Sequence, residues 1–204
     1  MSLFRRAGER RGTPADALVI GLANTESQYD GTRHNVGAEV IDELAERHGG
    51  RLRASRKERA LVDTVEMAGR RVVLAVPTTY VNLSGEAARE LVRRHGVAEP
   101  ARIVVVHDEL DLPVGRMKVK LGGGTAGHNG LRSITAHLGS DGYGRIRLGV
   151  GKPPSAPAGK DYVLRRPGKS ERAELDAVVN RAADAVEVYV ADGGAEAMNR
   201  FNRA

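Results

Sequence analysis

The chain has 204 residues, 41% of them hydrophobic, which suits one domain with a substantial core. It holds no cysteine, so disulfides, thiolate nucleophiles and cysteine-based zinc sites are excluded. A formal charge of +6 favours a polyanionic partner. An aromatic content of 3% without tryptophan argues against a broad base-stacking platform, so phosphate contacts would carry the affinity for any nucleic acid.

Residues 1–16 show no periodicity and carry Arg5, Arg6, Arg10 and Arg11, so they are expected to form a basic, disordered arm ahead of one domain over 17–204. Leu18-Val19-Ile20-Gly21-Leu22 reads as a buried strand. Val36, Val40, Ile41, Leu44 and Ala45 recur at helical spacing, and Gly49-Gly50 ends that helix. Two strand-like runs, 61–67 and 71–76, flank the turn signal Ala68-Gly69-Arg70. Ser84 is placed to cap a helix running to His95, with Gly96 at its stop. Residues 102–106 form a second buried strand. Residues 116–121 and 145–150 alternate strictly, with basic residues on one face. Residues 129–138 read as a helix, 151–158 as a proline-rich loop, 170–191 as a long amphipathic helix and 195–201 as a short last one. Strands alternate with helices but hairpins intervene, so the fold class is α/β, with a mixed sheet.

No apolar run approaches the ~20 residues that span a membrane. The start, Met1-Ser2-Leu3-Phe4-Arg5-Arg6, is basic but lacks the apolar segment of a secretory signal. A cytoplasmic protein without a membrane partner is expected.

Three runs rich in polar residues or glycine follow strand-like segments. The first leads from Gly21-Leu22-Ala23-Asn24 through Tyr29 to Thr32-Arg33-His34-Asn35. The second is His107-Asp108-Glu109-Leu110-Asp111, and the third spans 122–130 and includes His128 and Asn129. A packed core does not need such residues at its strand ends. A site that moves protons does: an imidazole as base, a carboxylate to orient it, and amides to hold a carbonyl. Taken singly, His34 reads as a surface histidine and Asp108 as a turn or cap residue. Together, the catalytic reading overtakes the bland one.

Other readings fit less well. Residues 122–127 match G-x-G-x-x-G, but late in the chain and with Asp141 in a glycine-rich loop, against the pattern of a dinucleotide site. A loop whose backbone approaches a substrate closely is the better functional reading. His34, His107, Asp108, Glu109, Asp111 and His128 fit no metal-ligand spacing, and alternation along a strand would split His107 from Asp108. No metal and no cofactor are expected. Lys118, Lys120, Arg145 and Arg147 form a basic stripe, either a solvated face or an anion clamp suited to a terminal phosphate.

At these residues the sequence resembles the bacterial peptidyl-tRNA hydrolase family. The matching segments include Gly21-Leu22-Ala23-Asn24, Thr32-Arg33-His34-Asn35-Val36-Gly37, Pro77-Thr78-Thr79-Tyr80-Val81-Asn82-Leu83-Ser84-Gly85, His107-Asp108-Glu109-Leu110-Asp111-Leu112-Pro113 and 122–130, collinear from Leu18 to Asn202. The resemblance implies a monomeric single-domain α/β/α globule around a twisted mixed β-sheet. It implies hydrolysis of the ester joining a peptide to the 3′ ribose of tRNA, with peptidyl-tRNA as partner through its acceptor end and 5′ phosphate region and no obligate protein partner. His34 would be the base and Asp108 its partner. Asn24, Tyr29, Tyr80, Asn82 and Asn129 would bind substrate, and Lys118, Lys120 and Arg147 would grip phosphate. Two positions depart from the family pattern. Thr25-Glu26 stands where Pro-Gly is usual, which would loosen the loop carrying Tyr29, and Val81 stands where Met is usual, which would trim the peptide pocket. The rival functions are a metal-dependent phosphoesterase and a non-catalytic RNA-binding protein on the same scaffold.

Overall fold

The computed structural model describes residues 3–8, 13–153 and 159–203. Its centre is a seven-stranded sheet of order β2-β3-β4-β1-β5-β7-β6. These strands are β1 (Ala17–Gly21), β2 (Arg53–Ser55), β3 (Ala60–Met67), β4 (Arg70–Pro77), β5 (Ile103–Glu109), β6 (Met117–Leu121) and β7 (Gly144–Gly149). β4, β1, β5 and β7 run parallel, while β2, β3 and β6 pair antiparallel at the edges. β1 and residues 103–106 of β5 read as unbroken apolar runs because both faces of these central strands are covered: every residue of β1 and of β5 is buried.

Alternation divides these strands between two cores. Val19, Leu74, Val104 and Ile146 pack with α2 (Val36–Arg47), α6 (Lys169–Asp192) and α7 (Gly194–Phe201). Leu18, Ile20, Val73 and Val105 pack with α3 (Ser84–His95) and α4 (Asn129–Leu138). The α/β/α layering and mixed sheet expected from the sequence are the observed architecture. β3 and β4 join through Ala68-Gly69, both at positive φ (51° and 70°), the twist that a two-residue hairpin turn requires.

Two expectations are corrected. Part of the arm expected to lack structure is helical: α1 (Leu3–Gly8) places Ala7, 1% exposed, in the core shared with α3, and Ala15 is buried beside it. Leu3 and Phe4 pack against the same core, so one helical turn of apolar residues carries this contact, too short a run to stand out among the arginines of the segment. Ser84 does not cap α3. It is the helix's first residue, fully buried, and its hydroxyl donates to the Val81 carbonyl at 2.8 Å. Gly96 does stop α3, at φ 68°. Residues 154–158 of the expected proline-rich loop lie outside the described residues. Among the described residues, no helix is long and apolar enough to cross a membrane.

Candidate active site

The connections leaving neighbouring strands β1 and β4 turn to opposite faces of the sheet, α2 to one and α3 to the other. A crevice opens beyond the carboxyl ends of parallel strands where this happens. Its first wall is the loop after β1. Asn24 and Asn35 fasten the two ends of that loop: the Asn24 N–H donates to Asn35 Oδ1 at 3.0 Å, and Asn35 Nδ2 donates back to the Asn24 carbonyl at 2.8 Å. Between them, the Tyr29 N–H donates to the Glu26 carbonyl at 2.9 Å in a 3₁₀ turn that follows Thr25-Glu26. A second 3₁₀ turn, Arg33–Asn35, carries His34 into α2. Glycines let α2 sit directly on the strands. A Cβ at Gly21 would lie 2.3 Å from the Gly37 carbonyl oxygen, and one at Gly37 would lie 2.5 Å from that of Val106. Any side chain here would lift His34 away from the end of β5.

Asp108, at that end, is 5% exposed. His34 Nδ1 donates to Asp108 Oδ1 at 2.9 Å, and His128 Nε2 donates to the same oxygen at 3.2 Å. The tautomer of His128 is set from its other side, where Nδ1 accepts from the N–H groups of Gly130 (3.1 Å) and Leu131 (3.4 Å) and so caps α4. Burial opposes charge on both members of the His34–Asp108 pair, but their mutual attraction outweighs it. His34 is raised above its ordinary 6.5, and Asp108 is held well below the usual carboxylate range, with the His128 hydrogen bond helping. Among the described residues, His34 Nε2 makes no hydrogen bond, and His34 lines the cleft. His107 is indeed split from Asp108 by alternation. Its Nδ1 donates to the Asp108 carbonyl at 2.7 Å, and burial, with His128 adjacent, pushes its pKa down to about 3.

The cleft has a volume of about 750 Å³. Of the residues expected in the site, Asn24, Tyr29, His34, Tyr80, Asn82, Asp108 and Asn129 all line it. The side chains of Asn24, Asn82 and Asn129 make no hydrogen bond to protein among the described residues, so their amides are available to a ligand. Tyr80 is 68% exposed at the rim. Val81, the departure from Met, is 9% exposed, its side chain packing towards Gly130. The sequence pointed to His128 only as the neighbour of Asn129 and among residues that fit no metal-ligand spacing, yet it lines the cleft and bonds to Asp108. Val163 and Leu164, which also line the cleft, carried no signal because an apolar pocket wall has the same composition as core.

The basic stripe lies outside the cleft and is less uniform than expected. β6 and β7 pair Lys118 with Arg147 and Lys120 with Arg145. Lys118 and Lys120 are exposed. Arg145 is not: it is 2% exposed, donates to the Gly124 carbonyl, and lies 4.7 Å over the Tyr143 ring. It holds the 122–127 loop rather than facing solvent. Arg147 donates from Nε and Nη2 to Glu109 Oε2, each at 2.9 Å. Glu109 lines the cleft, so this pair joins stripe to cleft.

His34, Asp108 and His128 also offer ligand atoms within 4.8 Å of one another, close enough to hold a metal ion. In the observed geometry both imidazoles are engaged with Asp108.

The cleft thus holds an imidazole–carboxylate pair beside free amides, a set of groups suited to activating water against an electrophile, and among the described residues no serine, threonine or cysteine lines it. That places the protein among hydrolases built on an α/β/α sheet. Comparison with known proteins narrows the class. Residues 18–204 match the family model described as peptidyl-tRNA hydrolase. A peptidyl-tRNA hydrolase of Frankia alni is 47% identical over 91% of this chain and 93% of its own length. One of Rhodococcus erythropolis is 49% identical over 91% and 97%. The crystal structure of peptidyl-tRNA hydrolase from Acinetobacter baumannii superposes with a TM-score of 0.87 at 32% identity, covering 95% of this chain and 97% of that one. The chain belongs to the peptidyl-tRNA hydrolase family.

Proposed function

We propose that this protein hydrolyses the ester joining a peptide, or an N-blocked aminoacyl group, to the 3′ ribose of tRNA. Family membership supports the reaction class. The observation that carries the mechanism is the 2.9 Å hydrogen bond from His34 Nδ1 to Asp108 Oδ1, which leaves Nε2 for water at the cleft. Neutral His34 takes a proton from that water through Nε2, and Asp108 stabilises the imidazolium that forms. The hydroxide attacks the ester carbonyl. The free amides of Asn24, Asn82 and Asn129 hold the substrate, and one such donor at the oxyanion is worth roughly 3 kcal/mol. The proton on His34 then passes to the departing 3′ oxygen, which restores the base and releases peptide and tRNA.

Outside the cleft, Lys118, Lys120 and Arg147 grip tRNA phosphate near the acceptor end and the 5′ terminus. Lys118 and Lys120 are unpaired among the described residues and exposed, which supports that role more than Arg147's position does, since Arg147 already has a carboxylate partner. The enzyme acts in the cytoplasm as a monomer, without cofactor or obligate protein partner, and sedimentation at monomer mass checks the oligomeric part. The deciding experiment is hydrolysis of N-blocked aminoacyl-tRNA with and without EDTA. Turnover unchanged by EDTA is expected. Activity lost on chelation and restored by a divalent ion would move the His34, Asp108 and His128 cluster to metal chemistry. No turnover, with tRNA still bound, would leave a binding protein.

A further inference from the structure

One wall of the cleft is the short helix α5 (Gly159–Val163) with Leu164 after it. Five residues are too few to hold a helix by their own hydrogen bonds, so something else must keep this wall in place. Arg33, the residue before His34, reaches both this wall and the start of α6 with its side-chain nitrogens. Nε and Nη2 fork onto the two carboxylate oxygens of Glu171 in the first turn of α6, each at 2.5 Å. Nη1 faces the carbonyls of Arg165 (3.1 Å), Tyr162 (3.4 Å) and Arg166 (3.5 Å), where the wall leaves α5 and a cation is favoured. The Arg33 N–H also donates to the Arg165 carbonyl at 3.3 Å, and its guanidinium lies 4.4 Å from the centre of the Tyr162 ring. Arg33 itself is only 8% exposed. Two further side-chain ties run from the same segment, Arg166 Nε to the Asp30 carbonyl at 2.9 Å and the Tyr162 hydroxyl to the Val150 carbonyl at 2.7 Å, but neither reaches the turn that carries His34.

We propose that Arg33 is a positioning residue: by forking onto Glu171 and gathering the carbonyls of 162–166, it latches this wall to the turn that carries His34 and thereby sets how tightly the acyl side of the substrate is held. This rests on the reading of the cleft as the peptidyl-tRNA ester site. Glu171→Gln breaks the charged fork. Arg33→Lys keeps a positive charge opposite Glu171 but loses the fork and most of the hydrogen bonds to carbonyls.

Two measurements on both variants test the latch. The first is kcat and KM taken separately, with a pH profile, on N-blocked aminoacyl-tRNA. The second is hydrogen exchange of the amides over 159–166 in the free protein. KM should rise about tenfold, the scale of removing one charge-assisted hydrogen bond from the binding-competent state. kcat and the pH profile should stay within about twofold, and exchange over 159–166 should quicken. Folded variants with wild-type KM and unchanged exchange overturn the latch. So does a change in kcat or in the pH profile at constant KM, which would mean that Arg33 acts on the base instead. Should Glu171→Gln not fold, Arg33→Lys decides alone. A wild-type protein inert on this substrate removes the reading of the cleft, while the exchange measurement still decides whether Arg33 holds the wall.

Discussion

His34 and His128 donate to one and the same oxygen, Asp108 Oδ1, at 2.9 and 3.2 Å, with their rings 5.8 Å apart. The carboxylate is thus aimed by one imidazole while it orients the other. Only His34 has its far nitrogen unengaged. The far nitrogen of His128 is occupied by the backbone N–H groups at the start of α4.

His34→Ala should abolish the base while leaving tRNA binding largely intact. General-base catalysis contributes typically ~10²–10⁴-fold, and the rate should fall within that range. A variant that keeps more than about a tenth of the wild-type rate would remove His34 from this role.

Asp108→Asn should keep the fold and lower the rate about 10²-fold or more, because a neutral amide does not stabilise the imidazolium. It should also move the pH profile in a defined direction. His34 is raised by Asp108 against the opposing effect of burial, so activity in the wild type rises with pH through a value above the ordinary 6.5 as the neutral base forms. With the charge gone, burial alone acts on His34 and lowers its pKa. The acid limb of kcat/KM should therefore shift to lower pH in the variant. A limb that stays in place, or moves upward, contradicts the dyad.

His128→Asn separates the two jobs of that residue. Asparagine is among the best helix caps, so α4 should keep its start, but its shorter side chain does not span to Asp108. Thermal stability should stay near wild type while kcat falls roughly tenfold, the scale of one hydrogen bond to a charged group. His128→Ala loses the cap as well and should cost ~1 kcal/mol of stability. Equal rates for the His128→Asn variant and the wild type would show that Asp108 needs no second imidazole.

Lys120 and Arg147, both assigned to the phosphate grip, should behave differently from each other. Lys120 is exposed, so Lys120→Ala should leave stability within ~0.5 kcal/mol. It should raise KM for full tRNA substrate and flatten its salt dependence, with a minimal substrate lacking the tRNA body unaffected. Arg147→Ala should do the same to KM but also destabilise the fold, because it strands Glu109, whose side chain is 7% exposed. The loss should be below the ~3–5 kcal/mol of a fully buried pair, and adding Glu109→Gln should recover most of it. If both substrates weaken equally, the stripe does not grip tRNA.

The order and type of the main elements were set by local pattern. β1 and the 103–106 stretch of β5 are apolar runs because a central parallel strand is covered on both faces, and α3 and α4 end where Gly96 and Gly139 adopt positive φ. The chemistry of the site was legible for a similar reason: Asn24, His34, Asp108 and Asn129 stand in polar runs at strand ends, where packing does not call for them. Partnership was decided only by the tertiary structure. Arg145 and Arg147 occupy the same face of β7, yet one is buried over Tyr143 beneath the 122–127 loop and the other is tied to Glu109 on the neighbouring strand. Arg33 and His34 are adjacent in sequence, but one turns to Glu171, 138 residues away, and the other to Asp108, 74 residues away. Periodicity fixes which way a side chain points in a strand or helix. In the turns that carry this site there is no period, and direction is set by contacts with segments that come together only when the sheet is assembled.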